Sequence, residues 1–197
     1  MTAAGARGGL HGEERMDFAA VTAGPLSAKL ADHKRRLIVE DAGGATVAVL
    51  DRLDMQGTST VEATGGRWTV RKAEDVGGGK FRWEVVDGDG KRAAELIPEQ
   101  RVHRYAITLG EGDPLTWEFH GIRAPHYRVE GLFSANRKLM NRFVAGISKR
   151  PFDAEVTAAL AARPDASLVL LLATWCTRHH IAIEIATSAS SSGYDLP

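Results

Sequence analysis

A chain of 197 residues, 44% of them hydrophobic, is long enough for one domain with a sizeable core. Its 25 Lys and Arg balance 25 Asp and Glu, so no global charge drives it toward nucleic acid or a membrane surface. The single cysteine, Cys176, excludes an internal disulfide and a cysteine-built zinc site. In chain order, residues 1–25 come first, rich in Gly and Ala and poor in large apolar groups. Such a composition cannot offset the entropy of ordering and predicts a disordered tail. Glu13, Glu14 and Asp17 follow no apolar run, which argues against a secretory leader and makes the cytoplasm the expected location.

Short alternating runs occupy the middle of the chain. Leu37-Ile38-Val39 and Thr46-Val47-Ala48-Val49-Leu50 flank Asp41-Ala42-Gly43-Gly44, the pattern of a hairpin. Trp68 and Val70 alternate with Arg67, Thr69 and Arg71, and a loop holding Gly77-Gly78-Gly79 follows. Phe81, Trp83 and Val85 share one strand face, with Arg82 and Glu84 on the other. Asp87-Gly88-Asp89-Gly90 is a tight-turn signal leading to a strand over 93–97. Tyr105, Ile107 and Leu109 alternate, as do Leu115, Trp117 and Phe119, with a turn at 110–114 between them. Further strands are expected over 127–130 and 139–147. Residues 152–160 fit period two through Phe152, Ala154, Val156, Ala158 and Leu160, and fit a helix through Phe152, Val156 and Ala159. The strand reading is preferred.

Pro164 and Asp165, the latter a candidate N-cap, predict a helix over 166–186, with a second flexible tail over 188–197. Leu168-Val169-Leu170-Leu171-Leu172 makes the first turns apolar on every face, and such a helix must be enclosed. A bilayer span needs about 20 apolar residues, and Arg178, His179 and His180 end this run about halfway. The short strands supply the enclosure. The expected fold is mainly β, a closed antiparallel barrel of about 12 strands around a hydrophobic C-terminal helix, covering residues 26–187.

Motifs that carry chemistry are sparse. Gly77-Gly78-Gly79-Lys80 is followed by Phe81 and lacks the earlier glycine of a phosphate loop. Asp87 and Asp89 are followed by Lys91 and Arg92 rather than by the ligands of a calcium loop. His180 and Glu184 lie four apart on one helix face, but His179, His180 and Glu184 would need a ligand from elsewhere to hold a metal. Polar capping of the emerging helix accounts for them, and neither metal nor cofactor is expected. Cys176 in the middle of an apolar helix would be inert. Basic groups recur at strand ends: Arg101, His103 and Arg104, Arg128, then Arg137 and Lys138, with Arg142, Lys149 and Arg150 beyond. Converging on one barrel end, they would hold an anionic group by charge-assisted hydrogen bonds. The ordinary alternative is a solvated face of mixed charge, since Glu99, Glu118 and Glu130 stand nearby. Aromatic residues are not interleaved with these basic groups as stacking platforms, so nucleic acid is not an expected partner.

Tyr127-Arg128-Val129-Glu130-Gly131, then 142–150 (Arg-Phe-Val-Ala-Gly-Ile-Ser-Lys-Arg), the period-two run at Phe152, Pro164-Asp165 and the apolar helix resemble the tubby C-terminal-like superfamily. Within it they are similar to the LURP-one-related and phospholipid scramblase-like group. Residues 46–52 look like a weaker first copy of the valine-alanine strand in 142–150. The resemblance covers about residues 30–187 and rests on structural motifs. It implies a barrel with a central helix, a non-enzymatic role, and binding of an anionic lipid or phosphoinositide-like head group at the membrane periphery. The strand spacing between Gly57 and Val102 is looser than the family pattern, and the acidic calcium segment of scramblases is not evident, so scrambling is not implied. A scaffold or protein-interaction domain is the competing reading. An uncharacterised hydrolase ranks last, for want of a nucleophile–base signature.

Overall fold

The computed structural model describes residues 17–54, 57–73, 82–99, 103–110, 112–121, 124–137 and 151–191. Among them run strands β1 (Gly24–Ala31), β2 (Arg36–Asp41), β3 (Thr46–Asp51), β4 (Thr58–Ala63), β5 (Gly66–Lys72) and β6 (Trp83–Asp87). The second half holds β7 (Arg92–Glu99), β8 (Arg104–Leu109), β9 (Leu115–His120), β10 (His126–Val129), β11 (Phe133–Arg137) and β12 (Phe152–Val156). A short helix α1 (Ala158–Ala161) and a long one, α2 (Ala166–Ser191), follow. Each strand pairs antiparallel with its sequence neighbours, and β1 pairs with β12, so the sheet closes into a twelve-stranded barrel. The expected architecture is the observed one.

The alternation read from the sequence is the in–out alternation of the wall. Tyr105 and Ile107 of β8, Trp117 of β9 and Tyr127 of β10 point inward and are fully buried. Leu170, Leu171, Leu172 and Ala173 of α2 fill the space they face. An isolated apolar helix would expose these side chains; inside a closed wall all faces find partners. The stretch Ala166–Thr187 is long and apolar enough to cross a membrane, yet 67% of its most apolar window is buried inside the barrel.

The two ends of the barrel differ. At one, the closed end, β2–β3 and β6–β7 are joined by two copies of the same three-residue hairpin. Asp41 Oδ1 accepts from the backbone N–H of Gly43 and Ala45, and Asp87 Oδ1 from Asp89 and Lys91. Gly44 and Gly90 take the left-handed position, at φ 83° and 79°. Thr157 caps α1 through Leu160 N–H and also donates to Gly131 O, which places Leu160, fully buried, beneath the barrel. At the other end, the mouth, stand Ala31, Asp51, Arg104, His126, Arg137 and Phe152, as the strand registers require. At 1.5 Å per residue α2 is about 39 Å long, more than any strand of this wall, so its C-terminal turns emerge there.

Three expectations need adjustment, and a fourth is not tested. Residues 17–25, read as part of a tail, pack against the wall: Ala19 N–H bonds Thr46 O, Thr64 donates to Phe18 O and Ala19 O, and β1 begins at Gly24. The helix runs past 186 to Ser191. Residues 152–160 are both readings in succession, a strand and then a capped helical turn. The strand expected over 139–147 lies outside the described residues, whereas β11, not anticipated, occupies Phe133–Arg137.

Candidate functional site

The polar residues of α2 leave the apolar run in sequence order and meet a different part of the wall each time. Trp117 Nε1 donates to Thr177 Oγ1 at 3.1 Å, and Thr177 donates to Ala173 O within its own helix. Arg178 sends Nη1 to Leu50 O at 2.6 Å and Nη2 to Arg35 O at 2.9 Å. His179 Nδ1 lies 2.7 Å from the Tyr105 hydroxyl, its ring stacked on Trp175 and edge-on to Trp83. His180, 1% exposed, places Nε2 3.1 Å from His103 Nδ1 and stacks on Phe119 with ring centroids 4.3 Å apart. Glu184 pairs with Arg137. These contacts gather at the mouth, and they fix both the rotation of α2 and its depth in the barrel.

The anion-site residues expected from sequence divide here. Arg101 and Lys138 lie outside the described residues. His103, Arg104 and Arg137 all stand at the mouth, but only His103 and Arg137 turn inward, onto His180 and Glu184. Arg104 and Arg128 turn outward. Cross-strand register sets both beside Glu118 of β9, which holds Arg104 at 2.5 Å and Arg128 at 3.3 Å. His120 reaches the same carboxylate. Hydrogen bonds from His120, then from Arg128 and Arg104, hold the Glu118 carboxyl below the usual carboxylate range. That part of the cluster is a mixed-charge ladder on the outer wall.

Sequence reading treated Arg178 only as the end of the apolar run. In the structure its guanidinium is half-buried and hydrogen-bonds two backbone carbonyls rather than a carboxylate. Burial lowers its pKa to about 10, against the pull of Asp51 and with added repulsion from Arg52, so it stays charged at neutral pH. Arg52 N–H bonds the Arg35 carbonyl that also receives Arg178, and the side chains of Arg35 and Arg52 are exposed. The neighbouring turn carries strain: Asp32 and His33 sit in the left-handed region at φ 47° and 54°. The available signal was a lone arginine on a helix that had to be enclosed, since a charge so placed needs partners.

His179 and His180 are both shifted to about 4, chiefly by burial; for His180 the charges of His103, Arg137 and His179 add to this. Both rings are therefore neutral near pH 7. His179, His180 and Glu184 turn to three different partners, and among the described residues no three His, Cys, Asp or Glu side chains gather as a metal site. Cys176 is fully buried, and burial raises its thiol pKa, which makes it a poor nucleophile. No protein-family model, curated protein or solved structure matches the chain.

Proposed function

We propose that the protein is a non-enzymatic binding domain that holds an anionic group, a lipid head group or a phosphorylated ligand, at the barrel mouth. The observation that carries this reading is Arg178: a half-buried guanidinium bonded to two carbonyls and flanked by the exposed Arg35 and Arg52. Arginine N–H groups not used on the carbonyls suit the forked recognition of phosphate oxygens. The resemblance to tubby-like and LURP-one-related proteins points to the same ligand class and supports a cytoplasmic, membrane-peripheral setting. A second reading is a protein-interaction scaffold. It is favoured by a barrel interior filled by its own helix, which leaves ligands only the ends and the outer wall.

Co-sedimentation with phosphatidylserine-rich vesicles at low and high salt tests the proposal, with phosphatidylcholine vesicles as control. Binding should require the acidic lipid and weaken with salt. Replacing Arg35 and Arg52 together by Gln should weaken it by about tenfold or more, at about 1 kcal/mol per charge near a membrane, while leaving the melting temperature nearly unchanged. Competition by inorganic phosphate separates a free phosphorylated ligand from a lipid surface. If neither acidic vesicles nor phosphate bind at low salt, the scaffold reading takes its place.

A further inference from the structure

His180 is a buried polar group that the anion-binding reading does not use. Its ring is enclosed by Phe119, Trp117 and Tyr127 and is 1% exposed. Nε2 meets His103 Nδ1 at 3.1 Å, a contact that can contain one proton but not two. Nδ1 has no hydrogen-bond partner among the described residues, and Glu184 Oε2 stands 3.9 Å away, held by Arg137. The charged and titratable groups around the ring are His103 before β8, Tyr127 of β10, Arg137 of β11, and His179 and Glu184 of α2, while β9 contributes the rings of Trp117 and Phe119. Tyr105 of β8 lies one step further, against His179.

We propose that the His103–His180 pair is an acid-released latch on the exit of α2. With the His180 ring neutral, its contact with His103 and the Arg137–Glu184 bridge hold the helix to the start of β8 and to β11. A proton added to His180 would place an imidazolium in an aromatic pocket with no hydrogen-bond acceptor at Nδ1 among the described residues and with Arg137 adding repulsion. The turn after His180 then leaves the mouth, the His180 ring reaches water, and the barrel wall stays closed. Past Ile181, which is buried, the segment is loosely held: Ile183 and Ile185 are half-buried, and Ala182, Ala186 and Thr187 are exposed. The shift supports the direction. A ring at about 4 when enclosed and near 6.5 in water favours the released form by about thirty-fold more at pH 5 than at pH 7.5.

Amide hydrogen exchange on the full chain, corrected for intrinsic rates, reads the latch directly. Between pH 7.5 and 5, protection over residues 181–187 should fall by about thirty-fold, while the β6–β7 hairpin keeps its protection. His180→Phe, which fits the same aromatic pocket, should keep the segment protected at both pH values. His103→Phe, at the rim, should blunt the acid response if His180→Phe fails to fold. Equal protection of 181–187 at both pH values overturns the proposal. So does an acid loss shared equally by every strand, or an undiminished acid loss in whichever variant folds. The outcome is independent of vesicle or phosphate binding.

Discussion

At the scale of single residues, the mouth holds two kinds of partly or fully buried polar group with opposite requirements. Arg178 stays charged and is satisfied by Leu50 O and Arg35 O. Truncating it to Met keeps the length of the stem but removes two charge-assisted hydrogen bonds, and Arg178→Met should lower unfolding stability by about 2–3 kcal/mol in urea titration. His179 and His180 are instead buried neutral. Their folded pKa, about 4, lies below the ordinary unfolded value near 6.5, so the unfolded chain binds more protons between those two values. Stability is therefore whole above pH 6.5 and falls as pH drops from 6.5 toward 4, by an amount on the order of 2–3 kcal/mol per histidine. Asp165, lowered by its bridge to Arg163, works in the same direction at the acid end. Thermal melts across this window should fall steadily; a flat profile would show that the two rings are solvated.

At the scale of elements, α2 and the wall are complementary because their patterns were each incomplete alone. Leu170 is fully buried where the helix is apolar all round. Leu170→Asp should prevent soluble folding, since an unpaired buried charge costs several kcal/mol, comparable to total domain stability; a soluble variant with a cooperative melt would count against an enclosed α2. The legible elements were those with large alternating side chains, such as Tyr105–Ile107 and Trp117–Phe119, where period two is unmistakable. β1, β4 and β11 escaped because Ser27, Ala28, Ser59, Thr60, Ser134 and Asn136 dilute the apolar set to a few small groups per strand. The switch at Thr157, from strand to cap to helix, was invisible to periodicity because Ala158 and Leu160 satisfy both repeats. Of the candidate site, strand-end position and the alternation of side chains were legible but their partners were not: His103 meets His180 inside and Arg104 meets Glu118 outside, pairings set by helix depth and cross-strand register. Arg178 was obscured by the very run that it ends.

At the scale of the whole molecule, a net charge of zero conceals a division between the ends. Turn carboxylates such as Asp41 and Asp87, tied to backbone N–H groups, mark the closed end, and Arg35, Arg52 and Arg178 mark the mouth. If the protein binds an acidic surface as proposed, this arrangement would turn the mouth toward it despite the neutral total. The pairing of β1 with β12 has a different consequence, for the time course of folding. The two strands that seal the wall are separated by the other ten, and the helix that fills the interior comes after all of them. While the chain is being synthesised, no earlier stretch can complete the core, and paired strands wait with an unfilled inner face and two open edges. Contacts this distant in sequence place the rate-limiting search late and make it slow. The nascent barrel is therefore exposed to edge-to-edge association until its final segment arrives, and aggregation should compete most strongly with refolding in truncations that lack α2.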